Sequence, residues 1–130
     1  MRRRLSPGEK PLFWIGSSKR DLLAMPDPVV RQMGTALSVA QYGGKHPDAK
    51  PWKGLGPGVF EVVSDYKTDT FRAGDVVRFE RALYVLHCFQ KKSPSGKRTA
   101  KTDVEMIERR LMAAQADYEA RYGQASQKRQ

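Results

Sequence analysis

The side chains in this sequence that could do chemistry are two histidines, one cysteine and an excess of cations, 24 Lys and Arg against 14 Asp and Glu. A paired-histidine nuclease needs both imidazoles in one site, one as acid and the other as base. His46 stands in a loop beside lysines and could approach a substrate, whereas His87 lies within the apolar segment LYVLHCF, the usual setting of a sheet histidine. Cys88 adjoins His87, but neighbouring strand residues point to opposite faces, so the two make no thiol–imidazole pair. Neither histidine has a partner at metal-ligand spacing, and the expectation is no metal and no other cofactor.

The cations are grouped. Lys91, Lys92, Lys97, Arg98 and Lys101 fall in one stretch without an acidic residue, and Lys50 and Lys53 bracket Pro51 and Trp52. Such a run is either a solvated loop or an electrostatic grip on phosphates that weakens steeply as salt rises. Two lysines around a proline suit an extended loop presenting both as phosphate ligands, and a desolvated lysine beside other cations can become a base. Trp52 could stack on a base, although an aromatic beside proline more often packs on its own domain. The net charge of +10 points first to nucleic acid and second to an anionic membrane surface.

The elements that must position these groups can be read from periodicity. At 130 residues there is room for one domain. A basic arm over 1–10, with Arg2, Arg3, Arg4 and Lys10, and a polar tail over 123–130, expected to be disordered, flank a domain over 11–122. Within it, PLFWIG suggests a first strand and KRDLLAM a short helix ending before Pro26. Asp27-Pro28 starts a second helix, with a carboxylate at the N-cap and proline at the first helical position. Val29, Val30, Met33, Ala36, Leu37 and Ala40 follow its apolar face to a stop at Gly43-Gly44, and a loop covers 44–58. Strands are expected over 59–64, 71–79 and 82–89. Thr102-Asp103-Val104-Glu105 matches a capping box for a last helix, whose face runs through Val104, Ile107, Leu111, Ala114 and Tyr118. The order β-α-α-β-β-β-α describes an α+β domain with a largely antiparallel sheet packed against N-terminal helices, with a C-terminal helix. Cys88 alone allows no intramolecular disulfide, and the first residues carry no signal-peptide apolar stretch. No segment approaches the roughly 18 apolar residues of a spanning helix, so a cytoplasmic protein without membrane contact is expected.

Several segments together resemble the RelE/ParE toxin superfamily, and its phage-derived, HigB-like branch in particular. Lys50-Pro51-Trp52-Lys53-Gly54 is similar to that family's lysine-rich loop, and Val59-Phe60-Glu61-Val62-Val63 to the strand after it. Phe71-Arg72-Ala73 with Val76-Val77-Arg78-Phe79 resembles its arginine strand, and Leu83 to Ser93 its LHAFxKKS strand. The likeness covers about residues 11–118. It implies a RelE-like fold and the toxin of a type II toxin–antitoxin system: a metal-independent endoribonuclease that cuts mRNA on the ribosome and inhibits translation. The implied reaction is attack of a ribose 2′-hydroxyl on the adjacent phosphate, with cations stabilising the transition state. Arg72, Lys53, Lys91 and Lys92 are then the catalytic candidates, and Lys50, Trp52, His46, Arg78, Lys97, Arg98 and Lys101 the RNA-binding ones. The resemblance also implies a cognate antitoxin, commonly a helix-turn-helix protein, besides ribosome and mRNA. A ParE-like gyrase inhibitor and a catalytically weakened RNA- or ribosome-binding relative are the alternatives.

Geometry conditions these assignments. An ordinary ion pair with Glu61 or Asp103 is the plain alternative role for Arg72. Arg78, six residues on, shares its face only if no bulge intervenes. Lys91 is in phase with His87 and Phe89; Lys92 is in phase with Leu86, Cys88 and Gln90. One departure stands out: Gly74-Asp75 replaces the family's bulky apolar residue and tyrosine. Glycine there suggests a bulge, and a carboxylate beside phosphate-binding cations would weaken activity.

Overall fold

The computed structural model describes residues 4–91, 100–123 and 129. Its elements are β1 (Leu12–Trp14), α1 (Ser18–Leu23), α2 (Asp27–Gln41), β2 (Ala49–Pro51), β3 (Val59–Tyr66), β4 (Asp69–Arg78), β5 (Leu83–Lys91) and α3 (Lys101–Tyr122). The strands form one sheet in the order β1-β5-β4-β3-β2. All neighbours are antiparallel except β1, which runs parallel to β5. This is the α+β arrangement expected from the sequence, with helices at both ends, and it is compatible with a RelE-like fold. Among the described residues no helix is long and apolar enough to cross a membrane.

The two sheet faces have separate cores. On one, Leu22 of α1 and Val29, Met33, Ala36, Leu37 and Ala40 of α2 pack on Val62, Phe71, Ala73, Val76, Leu83, Val85 and Cys88. On the other, Ile107, Leu111, Ala114 and Tyr118 of α3 pack on Val59, Val77, Phe79, Tyr84 and Leu86. The Tyr118 ring stacks on Phe79 at 4.3 Å, and its hydroxyl accepts the Arg81 amide. Arg110 of α3 donates to the Leu86 carbonyl at 2.9 Å and to Ser17 Oγ at 3.1 Å, tying α3 to the start of α1.

Two irregularities decide which side chains share a face. Val62 pairs with Gly74 but Val63 with Arg72, so Ala73 is the extra residue opposite β3. Opposite β5, Asp75 pairs with His87 and Val76 with Val85, which leaves Leu86 extra. Phe71, Ala73 and Val76 consequently all meet α2, although strict alternation would part Ala73 from Val76. Arg72 and Arg78 therefore stand on opposite faces, the reversal that a bulge at Gly74 was expected to cause.

Local expectations needed correction at three places. The loop expected over 44–58 contains β2, an edge strand on which Pro51 is tolerated because only one side of the strand is paired. Asp27 is the first residue of α2, not its N-cap, and neither it nor Thr102 makes a side-chain cap bond. The Asp103 carboxylate is drawn instead to His87 across the helix–sheet junction. The expected arm over 1–10 and tail over 123–130 lie partly outside the described residues.

Candidate functional site

On the α3 face, near the end of β5, four strands bring together most of the charged side chains of the sheet. Arg72 of β4 donates from Nη1 to Glu61 Oε1 of β3 at 2.9 Å, with side-chain exposures of 12% and 14%. Lys50 is the register partner of Glu61 on β2. Lys91, at the end of β5, is buried on the same face, in phase with Phe89 and His87. Three cations thus surround one carboxylate.

Burial and these neighbours shift the proton affinities in useful directions. Desolvation raises the Glu61 pKa, against the opposing pull of Arg72, Lys91 and Lys50. Its second oxygen is buried without a hydrogen-bond partner. Desolvation, then the Arg72 charge, lowers the Lys91 pKa, with Glu61 opposing. A carboxylate with raised proton affinity can act as a base nearer neutral pH, and an ammonium with lowered affinity is a readier proton donor. Beside them Arg72 offers a permanent charge and a planar fork.

Beside this group, on the same face, lie two further polar residues, since Asp75 is the register partner of Glu61 and of His87. Asp75 is fully buried and neither of its oxygens has a partner. Burial raises its pKa well above the ordinary carboxylate range, Glu61 and Asp103 push the same way, and Arg72 opposes them. His87, the strand partner of Asp75, is hydrogen-bonded through Nε2 to Asp103 Oδ1 at 2.8 Å, and its Nδ1 is buried without a partner. Its ring stacks on Phe89 at 4.8 Å. The histidine is thus a sheet residue, and its bond to Asp103 pins the first turn of α3 beside the site.

Asp75 carries a pH prediction. Its folded-state pKa is above the unfolded value, so the native state binds the extra proton. The stability this contributes is complete below the unfolded pKa near 3.8 and is lost as pH rises through the folded value. Asp75→Asn keeps the shape without the ionisation. It is expected to raise the melting temperature at neutral and alkaline pH by a few degrees, with the difference closing on acidification. Melting curves of both proteins from pH 4 to 9 measure this; a constant difference across that range would exclude the account.

Of the other sequence candidates, Lys101 lines one pocket with Lys91, and the rest are dispersed. Lys53 is exposed in the turn after β2, and Lys101 is exposed at the start of α3, where it pairs with Glu105 at 3.9 Å. Trp52 packs against the α3-side core. Arg78 and His46 line a pocket on the α2 face and so do not join Arg72. Lys92, Lys97 and Arg98 lie outside the described residues. Sequence reasoning treated Glu61 only as a counter-ion and did not place it at the centre of this cluster. The available signal was an acid inside the apolar strand VFEVV.

Comparison with known families gives one match: the model described as "Phage derived protein Gp49-like (DUF891)" fits residues 20–112, from α1 into α3. No curated protein matches the chain.

Proposed function

Because the chain belongs to the phage-derived Gp49-like family, we propose that it is the toxin of a type II toxin–antitoxin pair, a RelE/HigB-like endoribonuclease that cuts mRNA on the ribosome. The observation that carries this reading is the gathering of Arg72, Lys91 and Lys50 around Glu61 on one sheet face. In the proposed reaction Glu61 takes the proton of the ribose 2′-hydroxyl as its oxygen attacks the adjacent phosphorus. Arg72 leaves Glu61 for the phosphate and, with Lys50, stabilises the charge on the pentacoordinate phosphorus. The bond to the 5′-oxygen breaks, Lys91 supplies that oxygen with a proton, and the products are a 2′,3′-cyclic phosphate and a 5′-hydroxyl.

In this reading Asp75, the register partner of Glu61, would repel the phosphate less than an exposed carboxylate. Its carboxyl is fully buried, and burial first, then Glu61, raises its proton affinity. Exposed Lys53 and Lys101 would contact RNA or ribosomal phosphates, and the growth-arresting activity would be restrained by a cognate antitoxin.

The experiment is incubation of the purified protein with translating ribosomes, read by primer extension. Cleavage at discrete positions within ribosome-bound message, with little cutting of the same RNA alone, is the expected result. Intact message together with gyrase-linked DNA breaks would replace this reading with gyrase poisoning. Salt-sensitive ribosome binding without any cut would mean a non-catalytic relative.

A further inference from the structure

The α2 face of the sheet holds a second, separate concentration of positive charge. A pocket of about 220 Å³ opens there, with Arg78, Lys45 and His46 at its polar edge and Ala40, Ala49 and Phe60 among its apolar lining. Arg78 reaches it from β4, where its Nη1 donates to the Gly44 carbonyl just beyond α2 at 2.8 Å. That carbonyl and the negative end of the α2 dipole offset part of the guanidinium charge. They do not complete it. Arg78 Nε is buried with no hydrogen-bond partner, and among the described residues Arg78 makes no ion pair. The lowered proton affinity of Lys10, caused first by desolvation and then by Arg78, shows that a further cation lies close by. Of the acids nearby, Glu80, two residues along the chain, is exposed and favours the charged form of Lys10, and Asp48 is hydrogen-bonded by Gln32 at 2.5 Å.

A half-buried guanidinium without a carboxylate is unfavourable alone and becomes favourable when an anion is delivered to it. We propose that this pocket is a docking site for an acidic segment of a protein partner, which inserts one apolar side chain and sets an adjacent carboxylate against Arg78 and Lys45. The volume suits a single side chain, because pockets for larger ligands run to about 300–1,000 Å³. The lining favours peptide over nucleotide. Its floor is mainly aliphatic, with Phe60 as the one aromatic carbocycle, and Arg78 and Lys45 offer donors to an anion but no acceptor to read a base edge. The site faces away from Arg72, so a partner seated here would leave the cation cluster around Glu61 open. The inference does not rest on the cleavage reading.

The test uses amide-resolved NMR of the full-length chain with three probes: the capped peptide acetyl-Gly-Leu-Glu-Asp-Gly-amide, its uncharged counterpart with Gln-Asn in place of Glu-Asp, and adenosine 5′-monophosphate. The acidic peptide is expected to shift the amides of Gly44, Lys45, Ala49 and Gly58, and the uncharged peptide to bind about tenfold more weakly. Lys45→Glu alters an exposed residue and keeps the fold, and it is expected to weaken the acidic peptide by a similar factor. Arg78→Gln should abolish the shifts. Because Arg78 also braces the end of α2, the Lys45 variant decides the matter if that protein is unstable. Shifts with the nucleotide but not the peptide would make the pocket a nucleotide site and overturn the proposal, as would equal binding of both peptides or no shift at all. None of these readings depends on whether the protein cuts mRNA.

Discussion

Under the proposed cleavage activity, an Arg72→Gln protein is expected to remain folded and to cut ribosome-bound mRNA about 10²–10³-fold more slowly than the parent, the usual loss when one preorganised donor to a developing oxyanion is removed. Glutamine keeps a hydrogen-bonding terminus but neither the charge nor the fork. Arg72→Lys keeps the charge alone and should fall between. A purely structural role for the Arg72–Glu61 pair would also lower activity, because both side chains are largely buried and Glu61 would be left with one oxygen newly orphaned. Losing the guanidinium removes the largest force opposing the upward shift of the Glu61 pKa, so that carboxyl would move further toward its neutral form. The double variant Arg72→Gln with Glu61→Gln separates the explanations. It removes the stranded carboxylate and should recover most of the lost melting temperature, while cleavage stays at or below the level of either single variant. Recovery of cleavage together with stability would show that the pair only braces the sheet.

The parts of this site that were legible in the sequence are those lying within an uninterrupted strand. From His87 to Lys91 the period of two holds, and Lys91 faces the same way as His87 and Phe89. Across β4 the period fails, and Gly74 gave warning of that. The matching irregularity at Leu86 gave none, because leucine is an ordinary strand residue whose displacement depends on the neighbouring strand. The helices were legible through their buried faces: Val29, Met33, Ala36, Leu37 and Ala40 in α2, and Ile107, Leu111, Ala114 and Tyr118 in α3. Their caps were less so. Whether Asp103 bonds its own helix or reaches His87 is decided by where β5 runs relative to α3, and nothing local to TDVE states it. β2 was hidden for a related reason, since Ala49–Pro51 is extended only because β3 offers it an edge. Glu61 is intermediate: its acidity within VFEVV was plain, but three surrounding cations appear only once β2, β4 and β5 are assembled around β3.

Gly74→Leu is expected to destabilise the fold by about 1–3 kcal/mol, the range for forcing extra carbon into a filled core. A Cβ at this position would lie 1.9 Å from Met33 Cε and 3.0 Å from its Sδ. Met33 is flexible, but its side chain is completely buried between α2 and the sheet and has little room to retreat. A bulky apolar residue here would need the volume that Met33 fills. Met33→Ala alone should cost about 2–5 kcal/mol by opening a cavity. In the double variant the leucine occupies part of that space, so its loss should be smaller than the sum of the two single losses, and denaturant melts of the four proteins measure the coupling. Strict additivity would mean that Gly74 and Met33 do not compete for the same volume. Ala73 and Gly74 face α2, whereas Arg72 and Asp75 face α3, so the cleavage rate per folded molecule should change little in the double variant. Placing a bulky apolar residue at Gly74 therefore tests activity fairly only when Met33 is trimmed as well; with Met33 intact, a weaker protein would report a crowded core on the other side of the sheet.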